Sequence, residues 1–234
     1  MSTSTSQSSS SKVVVIGANR GIGFELAKQL QGKGHDVIAT CRSTRGDLDQ
    51  LDGVTVVEGV DTSKDGGLAP LVAVLDDNSV GMLIVNAGIL KPDQMPSSVD
   101  ELDLDGIREQ FEVNSIGPLR ATVALQSKLQ DGGKVGLMTS RMGSIADNTS
   151  GGMLGYRVSK TALNQFGMCL AHGLKERNIA VCLLHPGFVR TDMTGGNGYI
   201  DADESASGLI DVMTQLDVEK TGTFWHTNGE ELPW

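Results

Sequence analysis

The 234-residue chain carries 19 Lys and Arg against 29 Asp and Glu, a formal net charge of −10, and 39% of its residues are apolar. That charge argues against nucleic acid or an anionic membrane as partner, and the apolar share supports a core that needs no disulfide or metal staple. A chain of this length suits one large α/β domain.

The Ser/Thr tract "MSTSTSQSSSS" at 1–11 has neither a basic nor a hydrophobic segment. It reads as a disordered tail, not as a signal or transit peptide. From Lys12 onward short β-branched runs recur: "KVVVIG" (12–17), "DVIATC" (36–41), "VTVVEG" (54–59), "VGMLIVNAG" (80–88), "GKVGLMTS" (133–140), "IAVCLLHPG" (179–187) and a weaker "GTFWHT" (222–227). Several are almost continuously apolar, as strands covered on both faces should be. Between them "GIGFELAKQLQGKG", "KDGGLAPLVAVLDD", "ELDLDGIREQFEVNSIGPLRATVALQSKLQ" and "KTALNQFGMCLAHGLKER" place apolar residues at helical spacing. Repeated strand–helix alternation predicts a doubly wound, mainly parallel seven-stranded α/β sheet of Rossmann type, with helices on both faces. No linker divides residues 12–234, which read as a single domain. The longest apolar runs fall short of a membrane span. Cys41, Cys169 and Cys182 lack CxxC spacing and fall in apolar patterns, so they read as buried reduced thiols of a cytoplasmic protein. Four scattered histidines form no metal-ligand cluster, and no metal is expected.

Ligands of such sheets bind at the carboxyl ends of the strands, and the chemistry-bearing residues cluster there. The first strand runs into "GANRGIG", with Gly17, Gly21 and Gly23 at the strand–helix turn. Glycines at this point let the backbone approach a pyrophosphate, whose charge the helix N-terminus meets. A tight turn without ligand is the plainer reading of GxxxGxG, and the spacing alone decides little. The fourth strand ends in Asn86, Ala87 and Gly88; the fifth ends at Ser140, with Ser144 four residues on; the sixth runs into "HPGFVRTDM". Asn114 lies in the long helical segment, and "YRVSK" sets Tyr156 and Lys160 four apart on one helix face. A free phenol, with pKa about 10, is a poor acid–base group at neutral pH, but an ammonium within reach favours the phenolate. Singly each motif is an ordinary turn or helix residue; their order together is specific.

In these motifs the chain closely resembles the short-chain dehydrogenase/reductase superfamily, from Lys12 to Trp234. The segments "SRMGSI" and "GEELPW" look most like its small carbonyl-reductase-type members related to the bacterial C-factor and insect sniffer. The resemblance implies a catalytic set of Asn114, Ser140, Tyr156 and Lys160. Tyr156 would exchange a proton with the carbonyl or alcohol oxygen, and Lys160 would also bond the nicotinamide ribose. Ser140 would hold the carbonyl oxygen, and Asn114 would support a proton-relaying water. Cofactor contacts are implied at Gly17, Asn19, Arg20, Gly21, Ile22, Asp61, Asn86, Ala87, Gly88, Pro186, Gly187, Val189 and Thr191. One departure concerns the serine: Ser140 and Tyr156 stand sixteen apart, against about thirteen in the family, a spacing that is only a guide. The surplus lies in "ADNTSGG", a composition that bulges freely. Ser144 is the competitor; Ser140 is preferred because it directly ends the strand.

The second strand ends at Arg42 with no carboxylate there, and Arg20 supplies another cation nearby. Two guanidiniums suit a 2′-phosphate, so the expected cofactor is NADP(H). Met142, Leu154, Phe188, Met193 and Tyr199 are candidates for an apolar substrate wall, and "TGGNGYIDADES" for a mobile lid. The expected function is NADPH-dependent reduction of a ketone or aldehyde by a homodimer or homotetramer; an NADP(H)-binding regulatory protein with little turnover is the alternative.

Overall fold

The computed structural model describes residues 11–92, 98 and 101–234. Residues 1–10 of the expected tail lie outside them; Ser11 is described, and its hydroxyl donates to Gln130 at 2.8 Å. The seven apolar runs form β1 (Lys12–Ile16), β2 (Asp36–Thr40), β3 (Thr55–Val57), β4 (Val80–Val85), β5 (Leu129–Met138), β6 (Ala180–His185) and β7 (Thr223–His226). They pair in the order β3-β2-β1-β4-β5-β6-β7, every pairing parallel. Alternation along each strand divides the core between two faces. Val14 and Ile16 pack with Leu71, Ala121, Leu125, Leu163 and Leu174, whereas Val13 and Val15 pack with Leu26, Leu30, Leu209 and Met213. The first face is therefore covered by α2 (Ala69–Ala73), α4 (Gly117–Ala124) and α5 (Leu154–Leu174). The second is covered by α1 (Gly21–Gly32) and α6 (Ala202–Gln215). Strand order reverses between β1 and β4, so a crevice opens outside their carboxyl ends.

Two expected helices and the expected lid take other shapes. The "KDGGLAPLVAVLDD" pattern yields only the five residues of α2. Gly66 turns the chain at φ +74°, outside helical geometry, and the Gly67 carbonyl accepts the Asp61 N–H at 3.0 Å in the turn that precedes α2. The long segment expected over 103–129 is split into α3 (Leu104–Phe111), a π-helical turn over Glu112–Ile116 and α4, and is strand from Leu129. Much of the supposed lid is instead the loop before α6 and that helix's first turn. The loop closes on itself. Arg190 N–H donates to the Ile200 carbonyl, Tyr199 N–H donates to the Phe188 carbonyl, and the Arg190 guanidinium pairs with Asp201 at 2.6 Å. Cys41 and Cys182 are buried, but Cys169 is exposed, because it falls on the outer face of α5. No helix among the described residues is long and apolar enough to cross a membrane.

Candidate active site

At the crevice, β1 passes into α1 through a turn that only glycine accommodates. Gly17 takes φ +79°, and a Cβ there would stand 2.8 Å from the Ala87 Cα; a Cβ on Gly23 would stand 2.2 Å from the Gly17 carbonyl oxygen. The Asn86 amide donates to that same carbonyl at 2.7 Å, joining the ends of β1 and β4. Among the described residues no side chain caps α1, and its first turn holds no acid, so its amide end is left for an anion. Asn19 accepts the Asp47 N–H at 3.1 Å, which folds the loop after β2 over this turn and sets the exposed Arg20 and Arg42 on neighbouring loops. Arg20 pairs with Asp192 at 2.8 Å, both largely exposed. Thr191, beside Asp192, lies over Gly21, within 3.5 Å of where a Cβ on that glycine would stand. Ile22 is half-buried in the first turn of α1.

Asp61 sits beyond β3. Its carboxylate accepts the Ser63 hydroxyl at 2.6 Å and the Ser63 N–H at 3.1 Å. Burial pushes its carboxyl up, but the bonds from Ser63 and Lys64 outweigh that and hold it below the usual range. After β6, the Pro186 carbonyl accepts the Ser205 hydroxyl at 2.7 Å, Gly187 turns the chain at φ +87°, and Val189 is buried beside Ile200.

On the other side of the crevice, α5 brings Tyr156 and Lys160 beneath the end of β5. The Ser140 hydroxyl faces the Tyr156 phenol and lowers its pKa, and its Oγ accepts the Met142 N–H at 3.1 Å. Ser144 is buried and turned elsewhere, accepting the Asp147 N–H at 3.1 Å. The Lys160 ammonium lies 5.7 Å from the Tyr156 ring centroid and donates to the Met138 carbonyl at 2.8 Å. Sequence reasoning has this lysine drawing the phenol toward neutrality, but in the structure desolvation dominates both groups. Burial pushes Tyr156 up to about 12, against the pull of Ser140, and draws Lys160 down to about 7.

Asn114 reaches the site through the π-helical turn, a widening of the helix of the kind that often re-aims a side chain at a functional position. Its Oδ1 accepts the Ile89 N–H at 2.8 Å, while Nδ2 donates to the Ile89 carbonyl at 2.9 Å and to Ser159 Oγ at 3.1 Å. A Cβ on Gly88 would stand 3.2 Å from Asn114 Oδ1 and 3.6 Å from Lys160 Nζ, so Gly88 is where these groups converge. Ser159 went unnoticed in the sequence, although it sits inside "YRVSK" between the two residues that draw the eye. Its hydroxyl donates to the Tyr156 carbonyl at 2.8 Å. Asn114→Leu strips both main-chain polar groups of Ile89 of their buried partner. At about 1–3 kcal/mol for each orphaned group, unfolding stability should fall by roughly 2–6 kcal/mol. An unchanged urea midpoint would show that water replaces the amide.

The apolar candidates divide. Phe188 and Tyr199 stack edge to face at 5.4 Å and stand exposed with Met193, while Met142 and Leu154 are half-buried.

A glycine turn at a bare helix end, with a phenol, hydroxyl, ammonium and amide gathered at the neighbouring strand ends, describes an oxidoreductase crevice. The chain belongs to the short chain dehydrogenase family, whose model matches residues 11–198. A curated relative from Rhodococcus sp. (strain AD45), 1-hydroxy-2-glutathionyl-2-methyl-3-butene dehydrogenase, is 42% identical over 96% of this chain and 100% of its own. The carbonyl reductase Sniffer of D. melanogaster superposes with a TM-score of 0.86 at 27% identity, over 96% of this chain and 99% of its own. The NADPH-bound carbonyl reductase from chicken fatty liver does so with 0.85 at 29% identity, over 95% and 98%. The resemblance to carbonyl-reductase-type members, Sniffer among them, therefore holds, and the protein is an oxidoreductase of the short-chain dehydrogenase/reductase type.

Proposed function

We propose that the protein is an NADP(H)-dependent carbonyl reductase with Tyr156 as its proton donor and acceptor. The observation that carries this reading is the gathering of the Ser140 hydroxyl and Lys160 about the Tyr156 phenol, with Lys160 Nζ 5.7 Å from the ring. The residues present fit a dinucleotide. The turn at Gly17, Gly21 and Gly23 and the uncapped start of α1 suit a pyrophosphate, and Arg20 and Arg42 suit a 2′-phosphate. Asp61 and Asn86–Gly88 would line the adenosine and ribose side, and Pro186, Gly187, Val189 and Thr191 the carboxamide side. When bound, the nicotinamide supplies or accepts the hydride.

The chain's own work is protic and positional. Ser140 holds the substrate oxygen, Tyr156 gives it a proton during reduction, and Lys160 anchors the ribose beside them. Asn114 fixes the loop at Ile89 and leaves Gly88 open beneath Lys160. Burial that keeps the phenol protonated favours its use as an acid, hence reduction. The Rhodococcus relative, named for a glutathionyl alcohol, supports trying the reverse direction too. We read the protein as cytoplasmic and as a homo-oligomer.

The test is a panel of ketones and aldehydes with NADPH and NADH, together with hydroxyalkyl glutathione conjugates and the oxidised cofactors. Turnover of at least one carbonyl, faster with NADPH, is the expected result. NADPH binding without turnover of any substrate would favour the regulatory alternative.

A further inference from the structure

The sixteen-residue interval between Ser140 and Tyr156 leaves a long loop beside the reacting groups. Its composition, "RMGSIADNTSGGM", gives it little to bury, and Ile145 is exposed. Three successive residues at its far end, Gly151, Gly152 and Met153, take left-handed conformations with φ +62°, +68° and +50°. Such a run turns carbonyls away from the usual ladders, and one of the three is not glycine. Something must hold it.

The holder is the side chain next to the tyrosine. Arg157 Nε donates to the Gly152 carbonyl at 3.0 Å and the Gly151 carbonyl at 3.2 Å, Nη2 donates to Ser150 Oγ at 3.1 Å, and Nη1 donates to the Met142 carbonyl at 3.4 Å. The fork thus ties the end of the loop to its beginning, and only a planar guanidinium presents donors in that spread. Met142 is also the residue whose N–H meets Ser140 Oγ. The near half of the loop has separate ties, Arg141 to Asp147 at 3.0 Å and Ala146 N–H to the Trp234 carbonyl at 2.9 Å.

We propose that Arg157 is a positioning residue: it clamps residues 142–152 and, through Met142, aims the Ser140 hydroxyl at the Tyr156 phenol. The reaction half of this statement rests on the reading of Ser140 and Tyr156 given above. The clamp explains how a loop longer than the family's usual one keeps the serine in place, since displacement of a reacting group by about 1 Å can cost as much as 10²-fold in rate.

Arg157→Ala, Ser140→Ala and the double variant decide it. In Arg157→Ala, kcat should fall about ten- to a hundred-fold with KM for the cofactor unchanged, and Arg157→Lys, which restores only part of the fork, should lie between. On the Ser140→Ala background the same change should cost little more, because its target is already gone. Equal losses on both backgrounds would overturn the proposal. Hydrogen exchange supplies a readout independent of turnover. Amides of residues 142–153 should exchange faster in Arg157→Ala while those of β4, β5 and the rest of α5 hold, and unchanged loop exchange would refute the clamp. If Tyr156→Phe retains wild-type turnover, the reading of Tyr156 fails, and the exchange result alone then judges Arg157.

Discussion

Tyr156→Phe should all but abolish carbonyl reduction while leaving NADPH binding intact. The substitution keeps the ring that packs beside Lys160 and removes only the ionisable oxygen, so the pocket retains its shape. General acid–base catalysis contributes typically 10²–10⁴-fold, and a loss of about 10³-fold in kcat is expected. The pH profile adds a second reading of the same group. Burial holds the phenol at about 12, so reduction keeps its proton donor through the neutral and mildly alkaline range. Oxidation of an alcohol needs the phenolate, and its rate should climb as pH rises toward that value. The groups facing the phenol are the Ser140 hydroxyl, which lowers its pKa, and Lys160, which burial draws down to about 7 and which is therefore a neutral amine over the oxidation limb. Ser140→Ala removes a stabiliser of the phenolate, so the oxidation limb should move to higher pH, not lower. Steady-state rates in both directions across pH, with cofactor affinity from fluorescence titration, make the measurement. A Tyr156→Phe variant retaining more than about a tenth of the wild-type rate would remove Tyr156 from the chemistry.

Arg42→Asp should move the cofactor preference from NADPH toward NADH. Arg42 follows β2 in the open, and among the described residues the Arg20 guanidinium is engaged only by Asp192, in a largely exposed pair. Exposed ion pairs are worth about 0–1 kcal/mol, so a phosphate of nearly two charges displaces Asp192 at little cost. A charge-assisted bond contributes about 1.5–3 kcal/mol when well formed and less where water competes, so losing one arginine should weaken NADPH binding roughly tenfold. NADH carries no such phosphate and should barely respond to Arg42→Ala. An aspartate there goes further, repelling the phosphate and offering an acceptor to the ribose 2′-hydroxyl. Adding Arg20→Ala should widen the shift. The ratio of kcat/KM for the two cofactors, at one carbonyl substrate, is the quantity to follow. An unchanged ratio in Arg42→Asp, or a wild type that prefers NADH, would sink the assignment.

The strands were readable because parallel strands buried on both faces leave apolar runs, and each of the seven runs became a strand. Features that depend on three-dimensional context were not. The π-helical turn at Asn114 has no pattern of its own, since it differs from α-helix only in which carbonyl each N–H finds. Helix α6 hid behind a glycine-rich stretch that looked like lid, although Leu209, Ile210 and Met213 recur at helical spacing and are all buried. Cys169 is exposed against expectation because an apolar neighbourhood does not say which side of α5 a residue faces. The location of the crevice was legible, since its motifs sit at consecutive strand ends. The balance of charge inside it was not, because desolvation is a property of the packed fold: the sequence shows a lysine four residues from a phenol, not the burial that penalises the charged form of both.

The Asn86–Gly17 clasp closes a contact between residues 69 positions apart, at the seam where β4 docks against β1. Bringing such distant segments together costs loop-closure entropy before any contact offsets it, which makes parallel pairings of this kind slow to form. Neither half of the crevice exists in a chain that has formed only its local helices. The glycine turn needs β4 beside it, and the tyrosine needs β5 in register with β4. Capture of the dinucleotide therefore reports the joining of β1, β4 and β5 during refolding, and the ligand acts on the folding equilibrium by drawing it toward that topology.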